Sequence, residues 1–513
     1  MAGQKNIKGF TNSVPNDKGA PNFLLEVDSL NLLKLFAPKL PSQEPPVPRS
    51  NPLVRFEHSP GLQKHLAGRM LLHDELLDYH SLLESHLEHG YIGWIPGLTE
   101  GGGRSTCSRC VNTEPHLFAE FPCSACGKSC AYCRSCIMMG RVSSCSKLYV
   151  WKGPEPAYPS LEEPLAWKGT LSPAQKEASL KAVNAIQTHG ELLIWAVCGA
   201  GKTEILFDAI AAGLGEGKRI CFAAPRTDVV LELAPRLRAA FPIAVTAALY
   251  GGSEERHTPG QLILATTHQL YRFRQAFDVM IIDEVDAFPF SADLTLRQAA
   301  ERARKNPSSL IYLTATPSSS LKHQAVSGRL PSALIPARFH RHPIPVPELQ
   351  WIGNWEKNLT KKKIPTRVKT WLEERLQLSL PFLLFFPSIK KMEEALPLFQ
   401  ALDPEIASVH SKDPHRKKKV LALREGRVPG LLTTTILERG VTIPGLDVCV
   451  LGAEQPVFTE SALVQIAGRV GRKAEHPHGS ITFFHFGRTE AMLAAVKHIK
   501  GMNREGEKRG LLN

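Results

Sequence analysis

"ELLIWAVCGAGKTEILFDAIAAGL", Glu191 to Leu214, is an apolar run, a glycine-bearing loop and a second apolar stretch with helical spacing, in that order. The run reads as a buried strand and the last segment as a helix. In such an arrangement the backbone N–H groups of the loop and the helix N-terminus cradle phosphate oxygens. Gly199, Ala200 and Gly201 form the loop, Lys202 is placed to reach β- and γ-phosphates, and Thr203 to ligate Mg²⁺. Ala196 occupies the position where the common pattern begins with Gly. A short loop motif alone can match by chance, but strand, loop and helix in sequence make chance a poor account. The stretch predicts an α/β fold built on parallel strands, with ATP and Mg²⁺ as its ligands.

Outward from the loop, "RICFAAP", "QLILATT", "VMIIDEV" and "SLIYLTAT" are further strand candidates separated by helical patterns. "VMIIDEVDAF" ends a strand in acids. There Asp283 is expected to hold Mg²⁺ and Glu284 to orient and deprotonate an attacking water. A second series follows, "PFLLFFP", "IASVHS", "GLLTTTI", "DVCVLGA" and "SITFFHF", after a hinge at "IPARFHRHPIPVP" (335–347). In "QIAGRVGR" (465–472), Arg469 and Arg472 lie three apart on a helix and share a face. Guanidinium groups arriving from a second domain would neutralise charge on a transferring phosphoryl group, with Gln465 positioning water or the γ-phosphate.

Seven of eleven cysteines fall within "CSRCVNTEPHLFAEFPCSACGKSCAYCRSC" (107–136), and Cys145 lies just beyond. C-x2-C pairs let two thiolates converge on one Zn²⁺, and two pairs complete a tetrahedral site. Cys107/Cys110 can join Cys123/Cys126 across twelve residues or Cys133/Cys136 across twenty-two, and spacing alone favours neither. A second ion on Cys123, Cys126, Cys130 and Cys145 would account for all eight, but one ion is the expectation. Cys198, Cys221 and Cys449 sit in strands or the phosphate loop and read as packing residues.

A length of 513 residues suits three or four domains of about 150 residues each. The expected division is an N-terminal region at 1–100, a zinc module at 101–150, and α/β domains at 151–335 and 336–513. "SLNLLKLFAPKL" and "LLHDELLDYHSLLESHLEHG" in the first region have helical spacing, and "WKGPEPAYPSLEEP" after the cysteines reads as a stiff linker. No apolar run approaches the roughly 20 residues that span a bilayer, and the N-terminus lacks a secretory pattern, so a cytoplasmic location is expected. A net charge of +13 suits a polyanionic partner, although basic runs such as "HRKKK" (415–419) are most simply solvated helix faces.

The ordered motifs resemble those of superfamily 2 helicases. "LSPAQ" places Gln175 where that superfamily reads adenine, and "TAT" (314–316) resembles its motif linking hydrolysis to domain movement. "APR" (224–226), "TTHQL" (266–270), "FFPS" (385–388) and "TTTILERGVT" (433–442) complete the set. The resemblance implies two tandem RecA-like domains with ATP between them. It also implies single-stranded DNA gripped by Pro225, Arg226, Thr267, His268, Ser388 and Thr434, with Gly440 near the nucleotide.

Beyond the superfamily, "DEVDAFPF" (283–290), "YCRSCIMMGRVSS" (132–144), "TTILERGVTIPGLDV" (434–448), "RFHRHP" (338–343) and "IKGMNRE" (499–505) resemble the ComFA family, late-competence ATPases of Gram-positive bacteria. That likeness implies a DNA-stimulated motor drawing transforming DNA through the uptake channel at the inner face of the membrane. Its implied partner is a small phosphoribosyltransferase-like competence protein. It also implies the outer zinc set, Cys107, Cys110, Cys133 and Cys136, over the alternates Cys123 and Cys126. Two rival readings are a primosome-type replication restart helicase, in which the cysteines would interrupt the motor, and a zinc-dependent DNA-binding adaptor with a vestigial ATP site.

Overall fold

Strand β1 (Ile92–Pro96) pairs antiparallel with β6 (Lys147–Trp151), so the cysteine-rich segment leaves and re-enters its surroundings through adjacent strands. Between them lie two short antiparallel ribbons, β2 (Leu98–Gly101) with β3 (Arg104–Cys107) and β4 (Phe118–Pro122) with β5 (Ser129–Cys133). The computed structural model describes residues 56–101, 103–438 and 443–513, which lie in one compact unit. The expectations for Gly440 and for residues 1–55 lie outside them.

The strand pairing crosses the expected boundary at residue 100. Helix Pro60–Leu66, capped by Ser59, and helix His80–Glu88 pack Leu62, Leu66 and Leu83 with Leu71, Leu76 and Ile92, against Tyr149 and Trp151 from the far side of the cysteines. The leucine spacing marks the second of these helices and not the first, and only tertiary pairing reveals that residues 60–96 and 147–151 share a core.

Seven parallel strands follow in the order β13-β7-β12-β11-β8-β10-β9. These are β7 (Glu191–Ala196), β8 (Ile220–Ala224), β9 (Thr246–Leu249), β10 (Leu262–Thr266), β11 (Phe277–Ile282), β12 (Arg304–Thr314) and β13 (Ser332–Ile335). The apolar runs "ELLIWAV", "RICFAAP", "QLILATT", "VMIIDEV" and "SLIYLTAT" supply five of them, because parallel strands covered on both faces are apolar throughout. The edge strands "TAAL" and "SALI" are short and weakly apolar, and the sequence gives them no comparable signal.

A second parallel sheet has the order β14-β19-β18-β15-β17-β16. Its members are β14 (Glu348–Trp351), β15 (Phe382–Phe385), β16 (Ala407–Val409), β17 (Gly430–Thr433), β18 (Asp447–Leu451) and β19 (Ile481–His485). Only its edge strand β14, partly exposed, escapes the sequence reading. The architecture is the expected one of two tandem RecA-like sheets behind a cysteine-rich module. Among the described residues no helix is long and apolar enough to cross a membrane.

Candidate nucleotide cleft and cysteine centre

Parallel order brings the motifs together. Loops at the C-terminal ends of neighbouring parallel strands share one edge of the sheet, where α/β folds bind ligands. The loop after β7, the acids after β11 and the threonines at the end of β12 therefore stand side by side. Gly199 and Gly201 have φ of +85° and +68°, values that favour glycine, and helix Lys202–Ile205 starts directly from Gly201. A Cβ on Gly201 would stand 2.5 Å from Gln175 Nε2.

Gln175 is buried and both ends of its amide are engaged: Nε2 donates to Ala200 O at 2.8 Å, and Oε1 accepts from Ser172 N at 2.8 Å. It therefore holds the phosphate loop and caps helix Pro173–Gln187. Ala196 is buried in β7 and contributes no side-chain group to the loop.

A cleft of about 680 Å³ opens over the loop, within the roughly 300–1,000 Å³ of ordinary ligand sites. Lys202, Thr203, Asp283 and Glu284 line it from the first sheet, and Gln465, Arg469 and Arg472 from the second. Glu284 has φ +53° and its N–H donates to Asp283 Oδ1 at 2.8 Å, which fixes the pair at the strand end. Arg469 is buried, donates from Nε to Glu438 O at 2.8 Å, and is pushed down to about 9 by burial, with Arg472 adding like-charge repulsion. An anion entering the cleft would relieve both costs.

Several residues of this junction carry no sequence signal strong enough to assign. Cys198, read as a packing residue, donates its thiol to Gln465 Oε1 at 3.0 Å across the two sheets. Arg338 of the hinge is buried and donates to the carbonyls of Val470, Gly471 and Gly468, while Phe339 N donates to Gly199 O at 3.2 Å. The hinge thus touches both the phosphate loop and the turn that carries Arg469. Asp286 accepts from Thr314 Oγ1 at 2.5 Å, Thr316 Oγ1 at 2.7 Å and Ser461 Oγ at 2.5 Å. Ser461 belongs to helix Glu460–Ala467 of the second sheet, so "TAT" meets the other domain through a carboxylate.

The expected strand-grip residues are spread differently. Pro225 is buried, and Arg226 pairs with Glu438 at 2.6 Å across the two sheets. Thr267 is fully buried, so of its pair only His268 presents a side chain to solvent. Ser388 caps helix Ile389–Gln400 by accepting from Lys391 N, and Thr434 is half-buried before a short turn.

The thiols of Cys107, Cys110, Cys133 and Cys136 are buried and lie within 4.8 Å of one another. Four soft donors closing on one point, with no open side, fit a structural zinc ion. Cys123 and Cys126 are not in this group. Arginines dock its knuckle on the first sheet: half-buried Arg302 donates to the carbonyls of Ser108, Arg109 and Tyr271. Glu75 accepts from Arg109 and Arg272, whose pull holds its carboxyl below the usual range against the cost of burial. Arg272 ends the turn Thr267–Arg272 that follows β10, so the cysteine centre and the "TTHQL" segment are tied by a few bonds.

Residues 54–150, which hold this centre, match the model of the competence protein ComFA N-terminal domain. Competence protein ComFA of Bacillus subtilis (strain 168) is 51% identical over 443 residues, covering 86% of this chain and 95% of that protein. The chain belongs to the ComFA family. The ComFA of Streptococcus pneumoniae is 36% identical over 442 residues, covering 85% of this chain and 98% of its own. Residues 168–319 match the type III restriction enzyme res subunit and 369–474 the helicase conserved C-terminal domain. This ComFA family member is a competence-related, helicase-like ATPase. Among solved structures, S. cerevisiae Dbp5 bound to RNA and ADP BeF3 aligns over 67% of this chain and 98% of its own, with 15% identity and a TM-score of 0.45.

Proposed function

We propose that this chain couples ATP hydrolysis to movement along single-stranded DNA. It thereby helps draw transforming DNA through an uptake channel, from the cytoplasmic face of the membrane. The observation that carries this reading is the convergence of Lys202, Thr203, Asp283 and Glu284 with Gln465, Arg469 and Arg472 on one cleft between two sheets. Charged groups of opposite kinds, delivered from separate domains, suit a reaction whose charge must be neutralised only when the domains close.

When bound, ATP would supply the phosphoryl group and Mg²⁺ a positive charge beside it. In this reading Lys202 and the N–H groups of the loop hold phosphate oxygens, and Thr203 and Asp283 hold the Mg²⁺. Glu284 orients a water and takes its proton, while Arg469 and Arg472 stabilise charge on the transferring group and Gln465 positions water or the γ-phosphate. Asp286, Thr314, Thr316 and Ser461 carry closure from one sheet to the other. His268, Ser388 and Thr434 are the grip candidates with accessible side chains, and Arg226 joins them once it leaves Glu438. Zinc on Cys107, Cys110, Cys133 and Cys136 braces the module against the first sheet and takes no part in hydrolysis. The partner implied by the resemblance to the ComFA family is the small phosphoribosyltransferase-like competence protein.

ATP turnover measured with and without single-stranded DNA tests the proposal. The parent should be stimulated by DNA and Lys202→Ala should lose turnover; equal rates in the two proteins would sink the motor reading. In a transformable host, deletion should abolish transformation with normal growth, whereas a replication defect would favour a restart helicase.

A further inference from the structure

The cysteines outside the docked centre also converge. Cys123, Cys126, Cys130 and Cys145 place their sulfurs within 4.8 Å of one another, with Cys123 and Cys145 at 3.6 Å and Cys126 and Cys130 at 3.3 Å. A tetrahedral ion with bonds of about 2.3 Å sets its sulfurs roughly 3.8 Å apart, whereas a disulfide needs about 2.05 Å. The docked group is spaced slightly wider, 3.8 Å for Cys107 to Cys136 and 3.6 Å for Cys110 to Cys133, and both groups lie far outside disulfide range.

The two C-x2-C turns are built alike. Val111 N donates to Cys107 O at 2.8 Å, and Gly127 N donates to Cys123 O at 2.9 Å. Cys107 N donates to Asn112 O at 3.0 Å, and Cys123 N to Lys128 O at 2.9 Å. The residue after the second cysteine is left-handed in both, Val111 at φ +60° and Gly127 at +69°. A turn that aims two thiolates at one point occurs twice.

Nothing apolar holds the second turn in place. Ser124 to Ser129 are all exposed, so the tip of the β4–β5 ribbon has no core of its own. Small elements without a core depend on a cross-link or a metal for a fixed conformation. Cys145 is meanwhile brought to the ribbon by Ser144 N donating to Ala131 O at 2.9 Å and by the bridge of Tyr132 with Ser143.

We propose that the chain holds a second Zn²⁺ on Cys123, Cys126, Cys130 and Cys145, so that two ions and not one organise the module. The ligands interleave along the chain. Cys107 and Cys110 serve the first ion, Cys123, Cys126 and Cys130 the second, Cys133 and Cys136 the first again, and Cys145 the second. Strand β5 is the shared member: Cys130 and Cys133 are three apart and therefore project to opposite faces. The first ion anchors the module to the motor, and the second fixes the exposed ribbon tip relative to that anchor.

Metal content of the full chain, purified without chelator, is the first test: two zinc per chain in the parent and one in Cys126→Ser/Cys145→Ser. One zinc in both proteins overturns the proposal, as does iron in place of zinc, the other metal that four thiolates suit. The second test needs no variant. Cys126 and Cys145 are exposed, yet as ligands they should resist alkylation by iodoacetamide until a strong chelator is added, read by peptide mass spectrometry. Alkylation at the rate of a free thiol before chelation also overturns it.

Discussion

Asp286 joins three hydroxyl groups from two sheets, and its position in "DEVD" gives no hint of this, since Ser461 lies 175 residues away. A charged acceptor shared by three donors strengthens all of them where water is partly excluded, and Asp286 and Ser461 are both half-buried. An amide at the same place offers one acceptor oxygen and a competing donor. Asp286→Asn should therefore lower kcat by one to two orders of magnitude, in line with the roughly 1.5–3 kcal/mol of a hydrogen bond to a charged group, and leave the nucleotide KM nearly unchanged. Steady-state ATPase kinetics check this, and an unaltered kcat would show that the bridge is incidental. At this scale the phosphate loop was legible because its residues are contiguous. Cys198, Arg338 and Ser461 were not, because each acquires its partner only when the second sheet is in place.

The central strands were legible for the reason that hides the edges: burial on both faces writes an apolar run, and half-burial writes almost nothing. The pairing of β1 with β6 is likewise invisible, since fifty residues of cysteine-rich chain intervene. Arg302, at the end of helix Leu294–Ala303, is the element-scale link between knuckle and motor. Burial pushes it down to about 10, still charged at neutral pH, and it serves three carbonyls. Arg302→Ala should cost about 3 kcal/mol by leaving those carbonyls without their charged donor, and should loosen the module before the sheets melt. Hydrogen exchange would then rise first in residues 107–110 and 267–272; uniform exchange across the chain would refute a local link.

The net charge of +13 acquires a more specific meaning once the sheets are assembled. Part of the "HRKKK" run is already used: Arg416 pairs with Asp228 of the other sheet at 2.6 Å and Lys419 with Asp413 at 2.8 Å, while Lys417 and Lys418 stay exposed. Binding that rests on phosphate contacts releases counterions, with a log–log salt slope near 0.7 per contact on single strands. Three contacts then predict a loss of about twentyfold in affinity between roughly 50 and 200 mM salt, with little dependence on base composition. Anisotropy titrations at several salt concentrations measure it, and a flat salt response would remove the phosphate-grip reading. The β1–β6 pairing has a further consequence. Because Pro96 and Lys147 stand opposite each other, everything from 97 to 146 is a cassette whose two ends are neighbours. A two-residue turn could close the gap it leaves, so lineages could lengthen, trade or discard the metal-bearing segment while the flanking strands keep their register.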